Sequence, residues 1–186
     1  ESLEIDEWPE PGAAAALPAA SDATIEHAAR MIEAARRPIL YLGGGVIHSG
    51  AAAHACAIAE RSQLPTVSTL MALGALLADH PLSLGMLGMH GAPYTNRALD
   101  ECDLLIAVGA RFDDRATGKL AEFCPRAAVI HVDIDAAELG KLRTPALAIA
   151  ADARNVLERL APLLRMRRRT RWNARIRALR RAHPLA

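Results

Sequence analysis

Six short apolar runs, each ending near glycine or an acid and each separated from the next by a stretch of helical or turn composition, constrain this chain more than any other feature. They are PILYL, LPTVSTL, LSLGM, DLLIAVGA, AAVIHVDID and PALAIAAD. Runs such as LLIAV show no polar alternation, as expected of strands buried on both faces. Parallel strands of this kind are joined by crossover helices, so the order predicts an α/β domain with a parallel sheet and helices on both faces. Composition agrees. Hydrophobic residues make up 52% of the 186 residues but aromatics only 3%, so the core is expected to be Ala, Leu, Ile and Val, with alanines letting helices sit close to the sheet. So few rings also count against a nucleic-acid module built on base stacking.

Between the runs, Ser21 reads as the N-cap of DATIEHAARMIEAA, with Ile25, Ala28, Ala29, Ile32 and Ala35 near helical spacing and Pro38 ending the helix. SGAAAHACAIAERS predicts a second helix starting near Ser49 or Gly50, and MALGALLADHP is irregular or partly helical. APYTNRALDEC is helical, TGKLAEFCP a short helix, AAELGK a helical turn and ARNVLERLAPLLRM the closing helix. Asp135 can cap its turn, with Glu138 three residues on completing a capping box. Residues 1–20, acidic and then rich in Pro and Ala, read as a linker; 21–164 form the domain; 165–186 form a basic tail.

That tail holds nine of the 22 basic residues and no acid, so residues 1–164 carry 13 basic against 21 acidic residues. A solvated helix or linker is the leading expectation for it. A grip on nucleic acid or membrane, or docking on a part of the polypeptide outside this chain, stay as alternatives. Cys56, Cys102 and Cys124 share no close metal-ligand spacing, and their odd number counts against a disulfide framework. No apolar run reaches membrane-spanning length and no signal peptide opens the chain, which predicts a cytoplasmic location. It begins at Glu1, as expected of a segment of a longer polypeptide.

In a sheet of this type ligands gather at the carboxyl ends of the strands. Gly43, Gly44 and Gly45 follow the first strand; without Cβ atoms their amides can approach a phosphate or ring, or simply form a tight turn. Thr69, Leu70 and Met71 end the second, as a ligand contact or a packed turn. GMLGMHG, residues 85–91, ends the third, with Met89 offering a soft apolar surface and His90 a polar contact. The fourth end is the most pointed: Gly109 leads into Arg111, Phe112, Asp113, Asp114 and Arg115, charges that are costly beside a buried strand unless paired or used. Arg111 suits a forked phosphate contact, and the adjacent acids lack a third ligand for a metal. Asp133 and Asp152 end the last two strands, where an acid can accept from a ribose. With no P-loop and no Ser-His-Asp spacing, the strand ends point to a bound dinucleotide.

RPILYLGGGVIHSG, LPTVSTLMALGA, HPLSLGMLGMHG, DECDLLIAVGARFDDRATGKL and VIHVDIDAAELGK closely resemble the middle domain of acetolactate synthase (acetohydroxyacid synthase) catalytic subunits, over roughly residues 5–164. The resemblance implies a Rossmann-like, six-stranded, FAD-binding central domain of a thiamine-diphosphate-dependent transferase, in which the flavin is largely structural. It places FAD contacts at Gly43, Gly44 and Gly45; at Thr69, Leu70 and Met71; at Leu87, Gly88, Met89 and His90; at Gly109, Ala110, Arg111, Phe112 and Asp113; and at Asp133, Ile134 and Asp152. Met89, Asp114 and Arg115 match the substrate channel. Thiamine diphosphate, Mg2+ and the activating glutamate belong to flanking domains outside this chain, so the fragment alone is expected to be inactive, with no catalytic or metal residue of its own. The whole enzyme would decarboxylate pyruvate and join the two-carbon unit to a second 2-oxo acid in branched-chain amino-acid biosynthesis. It would do so as a homodimer or homotetramer, with a small regulatory subunit as a further partner. The family's TLMG reads Thr69-Leu70-Met71-Ala72 here and its GDV or GDA reads Ala151-Asp152-Ala153, added methyls expected to crowd the ligand. The alternatives are the central domain of glyoxylate carboligase or another thiamine-diphosphate-dependent decarboxylase, and a free-standing nucleotide-binding module.

Overall fold

The structure, a computed structural model, describes residues 16–184. Of the expected linker, residues 1–15 lie outside the described part, and 16–20 carry no regular secondary structure. Helix α1 (Asp22–Ala34) opens as predicted, the Ser21 hydroxyl accepting from the Thr24 N–H at 3.2 Å. After it the Asp103 carboxylate takes the N–H groups of Arg36 and Arg37 at 2.9 and 2.8 Å, steering the chain into β1 (Pro38–Leu42).

The second helical segment differs from its prediction. GGVIH forms a short helix, α2 (Gly44–His48), and α3 starts only at Ala52 and runs to Ser62. The two glycines disguise α2 because glycine is a poor helix former, and Val46, fully buried, holds it to the core. Strands β2 (Thr66–Ser68) and β3 (Ser83–Met86), helix α4 (Pro93–Glu101) and strand β4 (Leu104–Val108) follow where expected. The short helix predicted over TGKLAEFCP is displaced: α5 is Asp114–Thr117, Gly118 turns the chain, and only a 3-10 turn forms at Leu120–Glu122. Strand β5 (Ala128–Asp133), strand β6 (Leu147–Ala150) and helix α6 (Ala153–Leu160) complete the alternation. The capping box at Asp135 is half made. Its carboxylate accepts from the Ala137 N–H at 2.9 Å, but the Asp135 N–H goes to Asp133, while Glu138 pairs with Lys141 at 2.7 Å.

All six strands are parallel, in the order β3-β2-β1-β4-β5-β6. Alternate residues of each central strand serve opposite faces. Leu40 and Leu42 of β1 join Leu104, Ile106, Val108, Ile130 and Val132 under α1, α3 and α6. Ile39 and Tyr41 join Leu105, Ala107 and Val129 on the other side. Small residues at the helix contacts, Ala28, Ala55 and Ala59, are at most 1% exposed, so the helices lie close to the sheet as the alanine content suggested.

The second face is covered by α4 and by a final helix, α7 (Thr170–Ala182), within the arginine-rich segment. The expectation of a chiefly solvated tail therefore does not hold. Trp172, Ile176 and Leu179 recur on one side of α7, are 3–4% exposed, and each contributes about 1.5–3 kcal/mol by leaving water. The Trp172 Nε1–H donates to the Pro38 carbonyl at 3.0 Å, and Arg175 forks onto Glu101 at 2.5–3.2 Å. Arg169, 5% exposed, has no carboxylate partner among the described residues. Its guanidinium instead donates to the carbonyls of Ile32 (2.7 Å), Ala35 (2.5 Å) and Ser62 (2.9 Å). These cap the carboxyl ends of α1 and α3, where helix dipoles favour a cation. Burial, then repulsion from Arg167, draws Arg169 down to about 10, which leaves it charged at neutral pH. Periodicity foretold a helix here only weakly, because arginines outnumber the three anchoring residues.

We predict that Trp172→Ala lowers unfolding free energy by about 3–5 kcal/mol in urea titrations. A solvent-facing helix would show a change below about 0.5 kcal/mol.

Candidate functional site

The chain leaves β1 toward β2 through α2 and α3 on one face, and leaves β4 toward β5 through α5 on the other. Loops therefore diverge between β1 and β4, which puts at their carboxyl ends the switch point at which open α/β sheets hold ligands. Its floor is backbone against backbone. The Gly43 N–H donates to Val108 O and the Gly45 N–H to Gly109 O, both at 3.0 Å. A Cβ on Gly43 would stand 2.1 Å from Gly109 O, and one on Gly109, whose φ is +57°, 2.6 Å from Gly45 Cα. Glycine is needed there for the two loops to touch at all.

Beside this floor, Thr69–Met71 follow β2. Leu70 and Met71 are 65% and 64% exposed, Met71 lies against Gly44, and the Thr69 hydroxyl is buried with no partner among the described residues. After β3, Leu87 is buried while Met89, 74% exposed, and His90 face outward. Gly88 is fixed from both sides by Asn96 of α4: the Gly88 N–H donates to Oδ1 and Nδ2 donates to Gly88 O, both at 2.9 Å. A Cβ on Gly88 would meet Arg115 O at 2.1 Å, so this loop packs against the loop after β4. Met89, Asp114 and Arg115 thereby line one cavity of about 290 Å³.

The loop after β4 divides its residues. Ala110 and Phe112 are buried, Phe112 packing on Tyr41, Phe123 and His131 with ring centroids 6.1, 6.1 and 4.9 Å away. Arg111 is exposed and makes no ion pair or side-chain hydrogen bond among the described residues. Neither neighbouring acid neutralises it: Asp113 caps α5 through the Ala116 N–H at 3.0 Å, and Asp114 accepts from the Arg115 N–H at 2.9 Å. At the far strands Asp133 accepts from the Asp135 N–H at 2.9 Å beside a half-exposed Ile134, and Asp152 caps α6 through the Asn155 N–H at 3.0 Å. Ala72 and Ala151, at most 1% exposed, belong to the core, so their methyls are absorbed there and do not stand over the crevice.

Three residues of this edge carry no signal in the sequence. Asn96 sits on an ordinary amphipathic helix. Tyr41 and His131 each stand as a single polar ring in an apolar run. The Tyr41 hydroxyl donates to Arg111 O at 3.2 Å, and burial raises it well above the usual tyrosine range. His131, 1% exposed, donates from Nε2 to Ala110 O at 3.1 Å. Together they hold the Ala110–Arg111 backbone from the sheet beneath. Among the described residues no three His, Cys, Asp or Glu side chains are grouped to hold a metal ion, and no helix is long and apolar enough to cross a membrane.

The family model of the thiamine pyrophosphate enzyme central domain matches residues 25–160. The chain belongs to this family. Among relatives, it is 55% identical over 182 residues to the acetolactate synthase isozyme 1 large subunit of Escherichia coli, covering 98% of this chain and 32% of that protein. It is 48% identical to the acetolactate synthase large subunit of Parasynechococcus marenigrum, over 88% of this chain and 27% of that one. With the probable acetolactate synthase large subunit of Methanocaldococcus jannaschii it shares 44% identity, over 87% and 28% of the two chains. The chain thus spans about a third of the length of these relatives. The family match ends with α6, at residue 160, and α7 lies beyond it, within the segment that the Escherichia coli relative aligns with.

His131 gives the central domain a defined acid sensitivity. Burial is the largest influence and lowers it from the ordinary 6.5, against smaller raising effects of Asp133, the Ala110 carbonyl and Glu138. The unfolded chain therefore takes up this proton at a higher pH than the native one does. The contribution is complete above the unfolded value and is lost as pH falls through 6.5 toward the lower folded value. Urea midpoints between about pH 7.5 and 5 should fall more steeply for wild type than for His131→Gln; parallel curves would remove His131 as the source.

Proposed function

We propose that this chain is the flavin-holding central part of an acetolactate-synthase-type carboligase, with the FAD lying along the carboxyl edge of the sheet. The observation that carries the reading is the close glycine contact at the carboxyl ends of β1 and β4, set beside exposed Leu70, Met71 and Met89 and an exposed Arg111 that has no ion pair among the described residues. The closely packed loops bring backbone to the strand ends where a ligand would lie, exposed apolar side chains cover a flat ring, and a guanidinium forks onto a diphosphate. The buried, unpartnered Thr69 hydroxyl lacks the hydrogen bond that such groups normally have, which fits a polar ligand atom at that strand end.

In this reading Gly43–Gly45, Gly109 and Ala110 supply backbone contacts, Arg111 the charge, and Leu87–His90 and Ile134 the flanking surface. Phe112, Asp113 and Asp152 act by holding loops in place, since ring and carboxylates are engaged within the protein; Asp133 keeps an oxygen for a hydroxyl. The flavin serves mainly as a structural element of the site. Met89, Asp114 and Arg115 border the path to the reacting centre. Residues 1–20 and the end of the chain beyond α7 lead to flanking domains that hold thiamine diphosphate and Mg2+. The whole protein, a homo-oligomer that also takes a regulatory subunit, condenses pyruvate with a second 2-oxo acid. The names of the relatives support this choice over other carboligases.

Titration of FAD into cofactor-free full-length protein is the test. Arg111→Ala should weaken binding by about 1–3 kcal/mol, the scale of a charge-assisted hydrogen bond, whereas equal dissociation constants would withdraw Arg111 from the site. The 186-residue chain alone should form no acetolactate from pyruvate above a protein-free control; turnover by it would overturn the assignment of the chemistry to flanking domains.

A further inference from the structure

A second basic feature lies away from the carboxyl edge, where the segment leading into α7 crosses the carboxyl end of α3. The crossing is built and not merely adjacent. The Arg167 N–H donates to Arg61 O at 3.1 Å, and the Arg61 Nε–H returns a bond to Leu164 O at 2.5 Å. Asn173 of α7 donates to Gln63 O at 3.4 Å. These bonds border an open groove of about 580 Å³ whose lining includes Arg61, Arg167, Arg168, Arg169, Arg177 and one acid, Glu60. Glu60 is turned to His80 at 3.3 Å.

Two of the five arginines are committed to holding the fold. Arg169 is engaged by three carbonyls, and Arg167 bonds Glu33 O and stands 4.0 Å from the Glu33 carboxylate. Arg61 uses only its Nε, leaving the outer prongs of its fork. Arg168 and Arg177 have neither ion pair nor hydrogen bond among the described residues. Like charges gathered around one groove repel one another, and the lowering of Arg169 by Arg167 registers that repulsion. A ligand of high negative charge relieves it, and forked guanidinium donors favour phosphate oxygens.

We propose that this groove binds a small phosphate-bearing anion, with Arg61, Arg168 and Arg177 as its contacts. Its volume falls among those of small-molecule sites, and its concave shape between α3 and α7 suits a compact phosphate more than the extended backbone of a nucleic acid. Met166, 85% exposed on the same rim, adds an apolar surface for the organic part of a phosphorylated metabolite. Free pyrophosphate and a nucleoside diphosphate share the required chemistry. The site is separate from the proposed flavin crevice and does not depend on it.

Calorimetric titration of the full-length protein, its flavin crevice saturated with FAD, with inorganic pyrophosphate, and in parallel with a nucleoside diphosphate, at about 150 mM salt tests the inference. One saturable site is expected, and the tighter of the two probes identifies the source. Arg168→Gln/Arg177→Gln should raise the dissociation constant about a hundredfold, roughly tenfold for each guanidinium removed. Arg111→Ala should leave this binding unchanged, which separates failure here from failure of the flavin reading. Because the side chains of Arg168 and Arg177 make no hydrogen bond or ion pair among the described residues, the double variant should melt with wild type in buffer. About 1 mM pyrophosphate should then raise the melting temperature of wild type only. Should the double variant melt early, single Arg177→Gln serves in its place. Absence of saturable heat, or equal affinity in wild type and variant, overturns the site. A single-stranded oligonucleotide that binds wild type more tightly than either probe, and fails to bind the same variant, also overturns it, in favour of nucleic acid.

Discussion

The contact between the loops after β1 and β4 fixes everything else at the carboxyl edge. Five register pairs join these strands, from Pro38 with Leu104 to Leu42 with Val108, and the ladder continues past the strand ends through Gly43 to Val108 and Gly45 to Gly109. Continuing it demands that two backbones pass closer than a Cβ permits. Because crossovers leave the two strands on opposite faces, this contact lies at the switch point of the sheet. The same glycines therefore floor the proposed flavin crevice. Tyr41 and His131 hold the Ala110–Arg111 backbone against this floor from within the second core, so packing on one face of the sheet sets the position of a charged loop at its edge.

Covering both faces is the second constraint. The first face receives α1, α3 and α6 together with short α2, whereas the second is closed only when α7 folds back across β1 beside α4. A helix with so many arginines can do this because its charges are handled separately from its apolar stripe. Arg169 is buried on helix-end carbonyls, Arg175 is neutralised by Glu101, and several others remain in water. Arg143 follows the same rule elsewhere, donating to the carbonyls of Phe123, Cys124 and Ala127. Guanidinium groups suit such sites because they are weakly hydrated and carry five donors in a fixed plane.

These arrangements explain what the sequence could and could not disclose. Strands were legible because burial on both faces removes polar alternation, and α1 because Ser21 supplies a cap before regular apolar spacing. Helix α2 was not, since glycine at Gly44 and Gly45 serves the crevice against its own helix propensity. The displaced helix near Asp114 was hidden by a cap, Asp113, that read as a ligand-facing acid. Helix α7 was obscured because net charge spoke more loudly than Trp172, Ile176 and Leu179. At the candidate site the strand-end residues were legible as positions, but their division of labour was not: Phe112 faces the core, and Asn96, which fixes Gly88, has no distinguishing pattern around it.

That division of labour also sets the electrostatics of the edge. By composition, Asp113, Asp114, Asp133, Asp135 and Asp152 would make it strongly acidic and hostile to an anion. Each instead accepts a backbone N–H near the start of a helix or turn, where the local dipole already favours negative charge and offsets much of it. Arg111, by contrast, has no counter-charge within the described residues, and its backbone is anchored so that the guanidinium cannot retreat to the sheet. The outward field between β1 and β4 is thus more positive than a count of side chains implies. Around it stand Leu70, Met71, Met89 and Ile134, apolar groups at least half exposed whose cover must come from outside the domain. An anionic group joined to a flat apolar one would answer both demands together, and this favours the proposed dinucleotide over either a simple anion or an apolar ligand.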